Sequence, residues 1–125
     1  MTTEETIIGM ERRALERWGA GDPDGFLEIC AQDVTYFDPF VERRIDGIAG
    51  LRALYETLRG RVRIDSFELV HPSVQCEGAM AVLSYQFVSE SGAGTARWNT
   101  TEVYRETRGA WRILHTHWAF TQAKQ

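Results

Sequence analysis

Lysine is almost missing from this chain: Lys124 stands alone, and the rest of the fourteen basic side chains are arginines. Set against eighteen acidic residues they leave a net charge of −4 and a pI near 5.4. The basic footprint that nucleic acid or an anionic membrane surface requires is therefore absent, and neither is expected as a partner. No apolar run approaches the roughly 18 residues of a membrane span. The first residues, Met1 to Glu5, are polar and acidic, which argues against a secretory signal segment. Cysteine is scarce too: Cys30 and Cys76 make neither a metal-binding spacing nor a disulfide framework. These absences predict a cytoplasmic protein folded without covalent staples. With three prolines and no linker, repeat or low-complexity tract, residues 1–125 read as one domain. A content of 43% hydrophobic and 26% charged residues is that of an ordinary globular protein. A chain of this size can bury about two thirds of its surface, enough for a real core.

What is present is periodic. Ile7, Met10, Glu11, Ala14, Leu15 and Trp18 form a helical stripe broken only by Glu11, and Gly19 to Gly21 ends it. Asp22-Pro23 has the form of a helix cap with proline at the first position, opening a short helix from Asp24 to Ala31. Val34 to Phe37 is β-branched and aromatic, hence a strand that stops at Asp38-Pro39. Ile48, Leu51, Leu54, Tyr55 and Leu58 define a third helix, closed by Gly60. The period then changes to two. Arg61 to Glu77 reads as one long strand with a phase break near Asp65-Ser66, and His71-Pro72 as a bend within it. Ala79 to Ser89 is apolar on both faces, as in a strand covered on both sides. Gly92 and Gly94 mark a hairpin, and Thr95–Glu106 and Ala110–Thr121 are joined at Arg108-Gly109. Helices first and antiparallel strands afterwards predict an α+β domain, a cone-shaped barrel of three helices on a strongly curved, mainly antiparallel sheet. Such a cone has more inward positions than a short chain fills, and the surplus volume is an apolar pocket for a small molecule.

The succession Asp33-Val34-Thr35-Tyr36-Phe37-Asp38-Pro39, then Gly47, Leu51 and Tyr55, then Trp111-Arg112-Ile113 before His115-Thr116-His117-Trp118, resembles the nuclear transport factor 2-like superfamily. That superfamily includes the SnoaL-like polyketide cyclases, the ketosteroid isomerases and the association domain of calmodulin-dependent kinases. The resemblance covers nearly the whole chain and is specific for fold; the superfold itself carries many activities. It implies a cofactor-free pocket, and a homodimer packed through the outer sheet face, for which Val103, Leu114 and Phe120 would serve. It also implies that Asp38 occupies the position of the isomerase base, which moves a proton alpha to a carbonyl. The oxyanion-donating tyrosine of those enzymes would fall near Ala14, and their protonated acid at or near Trp98. Tyr55 matches a supporting tyrosine on the third helix. Each missing oxyanion donor costs on the order of 10²-fold in rate, so steroid isomerisation itself is disfavoured.

The residues also carry a reading of their own. Asp38 follows Tyr36 on one strand face, where a carboxylate can point into the pocket and an aromatic wall would make it a better base. The same Asp-Pro pair is equally a turn initiator. His115 and His117 share a face, and a hairpin turning at Arg108-Gly109 sets Glu102 opposite His115 and Thr100 opposite His117. A carboxylate beside an imidazole could orient it for proton transfer. His-x-His with a carboxylate could also hold zinc or iron, although hydrogen-bonded strand histidines explain the pattern equally well and no metal site is expected. A tight bulge in the last strand would reverse this face and put Trp118 in the pocket. The catalytic candidates are thus Asp38, His115 and Tyr55. The candidate lining is Tyr36, Trp98, Glu102, His117, Trp118, Tyr85 and Trp18, with Arg43, Arg44 and Arg97 able to clamp a carboxylate at the mouth. The class so implied is acid–base chemistry on an apolar carbonyl compound; a binding or oligomerisation domain is the competing one.

Overall fold

The computed structural model of the chain describes residues 1–121. Helix α1 spans Thr3–Gly19 and begins with a reciprocal capping box: the Thr2 hydroxyl accepts from the Glu5 amide, and the Glu5 carboxylate from the Thr2 amide. Its buried stripe is Ile7, Glu11, Ala14 and Leu15, so Glu11 does not interrupt the inward face but belongs to it. The chain leaves α1 through Gly21 at φ +90°, where a side chain would press on the Gly60 backbone at 3.1 Å. Helix α2 is shorter than its sequence suggests. It covers Asp24–Leu27 rather than reaching Ala31, because the next residues are drawn into a strand and the Ile29 carbonyl accepts from the Ile113 amide at 2.7 Å. Long-range pairing here overrides a local helical pattern.

Strand β1 (Cys30–Phe37) pairs with a two-residue strand β2 (Ile45–Asp46), and helix α3 follows at Ile48–Glu56. Then come β3 (Ser66–Glu77), β4 (Met80–Ser91), β5 (Gly94–Thr107) and β6 (Ala110–Phe120). They form one six-stranded sheet in the order β2-β1-β6-β5-β4-β3, antiparallel except for β1 against β6. The two-residue turn between β5 and β6 sets Arg108 at φ 53° and Gly109 at φ 80°, the twin positive values of a tight hairpin.

Two irregularities decide which side chains face inward. The break in β3 lies at His71-Pro72, with His71 at φ 50° and a register shift between Val70 and Ser73, not at Asp65-Ser66. Residues Arg61 to Asp65 are not strand. They connect α3 to β3, tied down by the Ile64 amide on the Gly19 carbonyl (2.9 Å) and the Asp65 amide on the Glu90 carbonyl (2.8 Å). The second irregularity is a bulge in β6: Tyr104 pairs with Ile113, but Val103 pairs with His115, leaving Leu114 as the extra residue. On the sheet's inner face Ala81, Leu83, Tyr85, Phe87, Tyr104 and Ile113 are buried with Ile7, Leu15, Val34 and Leu51. The expectation that β4 is covered on both sides is corrected: its other face leaves Val82, Ser84 and Val88 half-buried and Gln86 exposed.

Candidate functional site

Between the helices and the open end of the sheet lies a pocket of about 300 Å³, at the lower end of the range for small-ligand sites. Trp18 from α1, Phe26 from α2 and Tyr55 from α3 form one wall. Phe87, Trp98 and Trp118 from β4, β5 and β6 form the other. The aromatic rings meet edge to face: Trp118 stands at 85–90° to Trp98, Phe87, Tyr85 and Phe26, with centroids 5.7–6.5 Å apart. Such packing fixes the walls as well as making them apolar. Phe40, 76% exposed, leans against Trp98 and Phe120 at the rim.

Asp38 and Tyr36 line this pocket. Three donors converge on the Asp38 carboxylate. The Tyr36 hydroxyl donates to Oδ2 at 2.6 Å, while the Phe40 and Val41 amides donate to Oδ1 at 2.7 and 3.0 Å. The Asp-Pro pair thus forms a turn through Oδ1, while Asp38 as a residue also borders the pocket. Burial raises the Tyr36 pKa, and donation to Asp38 raises it further; the Tyr55 hydroxyl beside it works in the opposite sense. Burial likewise holds the Tyr55 hydroxyl neutral, with Tyr36 adding to the effect.

The Leu114 bulge corrects the histidine assignment. Glu102 stands opposite Thr116, Thr101 opposite His117, and Thr100 opposite Trp118. His115 and His117 thus face outward, packed against Phe37, and neither lines the pocket. The Nδ1 of His115 is hydrogen-bonded to the Thr35 hydroxyl at 2.6 Å. Its pKa is lowered, by burial first and by His117 second. Phe120 shares the face of Trp98, with rings 4.2 Å apart, and so is not on the outer face, where it was expected to serve a dimer. The proposed mouth clamps Arg43, Arg44 and Arg97 do not line the pocket; Arg44 pairs instead with Asp46. The lining arginine is Arg63, which a reading of Arg61–Glu77 as continuous strand could not single out.

Glu102 and Tyr85 lie deeper, past Trp118. There Glu11 and Glu102, both fully buried, share one polar cluster. The Tyr85 and Tyr104 hydroxyls donate to the two oxygens of Glu11 at 2.6 and 2.7 Å. Neither oxygen of Glu102 meets a donor among the described residues, and the Thr100 hydroxyl is also unpaired. Burial, and then the charge of Glu11, push the Glu102 pKa well above the usual carboxyl range, which favours its uncharged form. Burial and the same charge push the nearby Cys30 thiol up to about 12, making it inert. Sequence reasoning missed this cluster, although one signal was visible: a single acid in an otherwise apolar helical stripe. Among the described residues no group of three His, Cys, Asp or Glu side chains could hold a metal ion, and no helix is long and apolar enough to cross a membrane.

Comparisons with known proteins place this geometry. A profile of the SnoaL-like domain matches residues 12–114. The crystal structure of a candidate ketosteroid isomerase from Parabacteroides distasonis ATCC 8503 superposes with a TM-score of 0.89 at 35% identity, over 97% of this chain and 89% of that one. The calmodulin-dependent kinase II hub of S. rosetta gives a TM-score of 0.78 at 20% identity, over 97% and 98% of the two chains, a likeness of fold. The alpha chain of calcium/calmodulin-dependent protein kinase type II from Drosophila melanogaster is 25% identical over 121 residues. That match takes in 90% of this chain but only 23% of the kinase. The fold is the nuclear transport factor 2-like one, as the isomerase-like and hub-like neighbours both have it.

Proposed function

The chain belongs to the SnoaL-like domain family, and from that premise and the pocket's geometry we propose that it binds an apolar carbonyl compound on which Asp38 acts as a base. The observation that carries this reading is a carboxylate lining a pocket whose walls are mainly aromatic and aliphatic, with Arg63, Ser89 and Ser91 on another flank. Asp38 Oδ2 takes the proton from the carbon alpha to the carbonyl. The C–H electron pair moves into the new carbon–carbon double bond, and the carbonyl pair onto oxygen as the enolate. Where a β,γ double bond extends the enolate, return of the proton to the γ carbon isomerises the substrate; attack of the enolate carbon on a second carbonyl closes a ring, and the alkoxide so formed takes the proton back from Asp38. The Tyr55 hydroxyl, kept neutral by burial, is the group suited to meet the enolate oxygen, giving up its interaction with the Tyr36 hydroxyl to do so. The substrate's own carbonyl serves as electron sink, so the scheme calls on no cofactor. His115 and His117 have no part in it, and Trp18, Trp98 and Trp118 supply shape and water exclusion.

A screen of aromatic ketones and lactones by thermal shift, followed by turnover of the hits, tests the proposal. Asp38→Asn keeps the shape and removes the base, and should lower turnover by on the order of 10²–10⁴. Unchanged turnover would eliminate Asp38 as the base.

A second reading has its own observation. The outer sheet face carries half-buried Val82, Val88 and Val103 with exposed Phe37, an apolar stripe suited to a second copy of the chain. The likeness to hub domains supports assembly through it. We propose a homodimer, and a monomer mass by light scattering at micromolar concentration would rule it out.

A further inference from the structure

The pocket has two unlike ends. On one flank Asp38 follows β1. On the other, beyond β6 and β5 in the sheet order, β4 contributes Ser89 and Ser91, and the connection into β3 contributes Arg63. Like most of the arginines, Arg63 makes no ion pair among the described residues, and it is the arginine that lines the pocket. Nor does it hang on a loose loop. The two residues that follow it are pinned by backbone hydrogen bonds to α1 and β4, so its guanidinium starts from a fixed root at the rim. Ser89 is 7% exposed, its hydroxyl has no side-chain partner among the described residues, and what remains open of it faces the pocket. The Ser91 hydroxyl accepts from the Ala93 amide at 3.2 Å and keeps its own hydrogen to donate.

We propose that Arg63, with Ser89 and Ser91, is an anion-recognition end, and that the substrate is an apolar monocarboxylic acid whose reacting carbonyl lies at the far end, against Asp38. This rests on the reading of the pocket as a small-molecule site and names the class of molecule it takes. A guanidinium presents a planar fork that matches a carboxylate with two parallel hydrogen bonds, and the serine hydroxyls supply further donors on one side. A single cation balances one negative charge. A phosphate dianion would be left with a second, facing Asp38 across an apolar pocket, which favours the carboxylate. Binding at Arg63 also sets the ligand's direction, so that its uncharged end, and not its carboxylate, meets the base.

The test uses an isosteric pair, 2-naphthoate and the neutral ketone 2-acetylnaphthalene, titrated against the wild type, Arg63→Gln, Arg63→Lys and Arg12→Gln. Arg12 is exposed on α1 away from the pocket, and its variant removes the same charge elsewhere. The wild type should bind the carboxylate about tenfold tighter than the ketone, the scale of a charge-assisted pair at a half-open site. Arg63→Gln should abolish that preference while leaving ketone affinity intact. Arg63→Lys should keep part of it, and Arg12→Gln all of it. Equal binding of the two ligands by the wild type, or an unchanged preference in Arg63→Gln, would overturn the anion end and leave the pocket standing. No binding of either ligand at millimolar concentration would overturn both readings together.

Discussion

Two carboxyl groups on the inner side of one sheet live in opposite conditions. Asp38, at the open end, has three donors, a half-buried side chain and a pocket beside it. Glu102, at the closed end, is fully buried with no donor on either oxygen and a second buried acid, Glu11, for a neighbour. The open-end acid borders the space a ligand would fill. At the closed end, burial and the neighbouring Glu11 both favour the uncharged form of Glu102. The fold thus separates an acid that borders the pocket from an acid sealed in the core, and Trp118 is the partition. Its ring lines the pocket on one side; on the other its Nε1 donates to Thr116 at 3.0 Å, beside Glu102.

Removing the partition should break the comparison most severely. Trp118→Ala deletes a ring in edge contact with four others and should cost about 3–5 kcal/mol in denaturant unfolding. Water admitted past residue 118 should also draw the Glu102 pKa back toward ordinary values. A loss below about 1 kcal/mol would mean that the two compartments do not depend on that ring.

The order of elements, helix, helix, strand, helix and then four long strands, was legible because hydrophobic period and glycine punctuation agree along most of the chain; the two-residue β2 was not. Asp38 was legible for the same reason, as the residue that ends a β-branched strand. The facing of β6 was not. Ile113-Leu114-His115 carries no mark of a bulge, and one extra residue exchanges His115 and His117 for Thr116 and Trp118 on the inner face. The early end of α2 was hidden because strand pairing across the sheet, not local preference, terminates it. The resemblance to the isomerases placed a protonated acid near Trp98. The acid on β5 whose pKa is pushed up is Glu102, behind Trp118 and out of the pocket.

Substituting Glu102→Gln sharpens the contrast through pH. The folded-state pKa of Glu102 lies above its unfolded value, so its contribution to stability is fully present below the ordinary carboxyl value of 4.5 and is lost as pH rises toward the folded pKa. Within that window wild-type stability should fall with a limiting slope of about 1.4 kcal/mol per pH unit from this group. The amide introduced by this substitution reproduces the neutral acid at every pH, so the variant should lose that slope and exceed the wild type by more at pH 8 than at pH 5. Melting curves across that range decide it. Parallel profiles for the two proteins would show that Glu102 is already ionised in the fold.

The smallest effect compares the two tyrosines that serve the two acids. Tyr104→Phe removes one of the donors to a fully buried carboxylate, and nothing else in the dry cluster replaces it; a buried acceptor stripped of a donor costs about 1–3 kcal/mol. Tyr36→Phe removes one of three donors from Asp38, at a mouth that water enters, and should cost about 0.5 kcal/mol, the low end for a hydrogen bond that solvent can substitute. Both changes delete a single hydroxyl from a buried ring, so the loss of packing nearly cancels between them. The difference in unfolding free energy therefore reads the environments of Glu11 and Asp38. Equal losses would mean that the mouth is as dry as the core, and the contrast between an acid bordering the pocket and an acid sealed in the core would have to be given up.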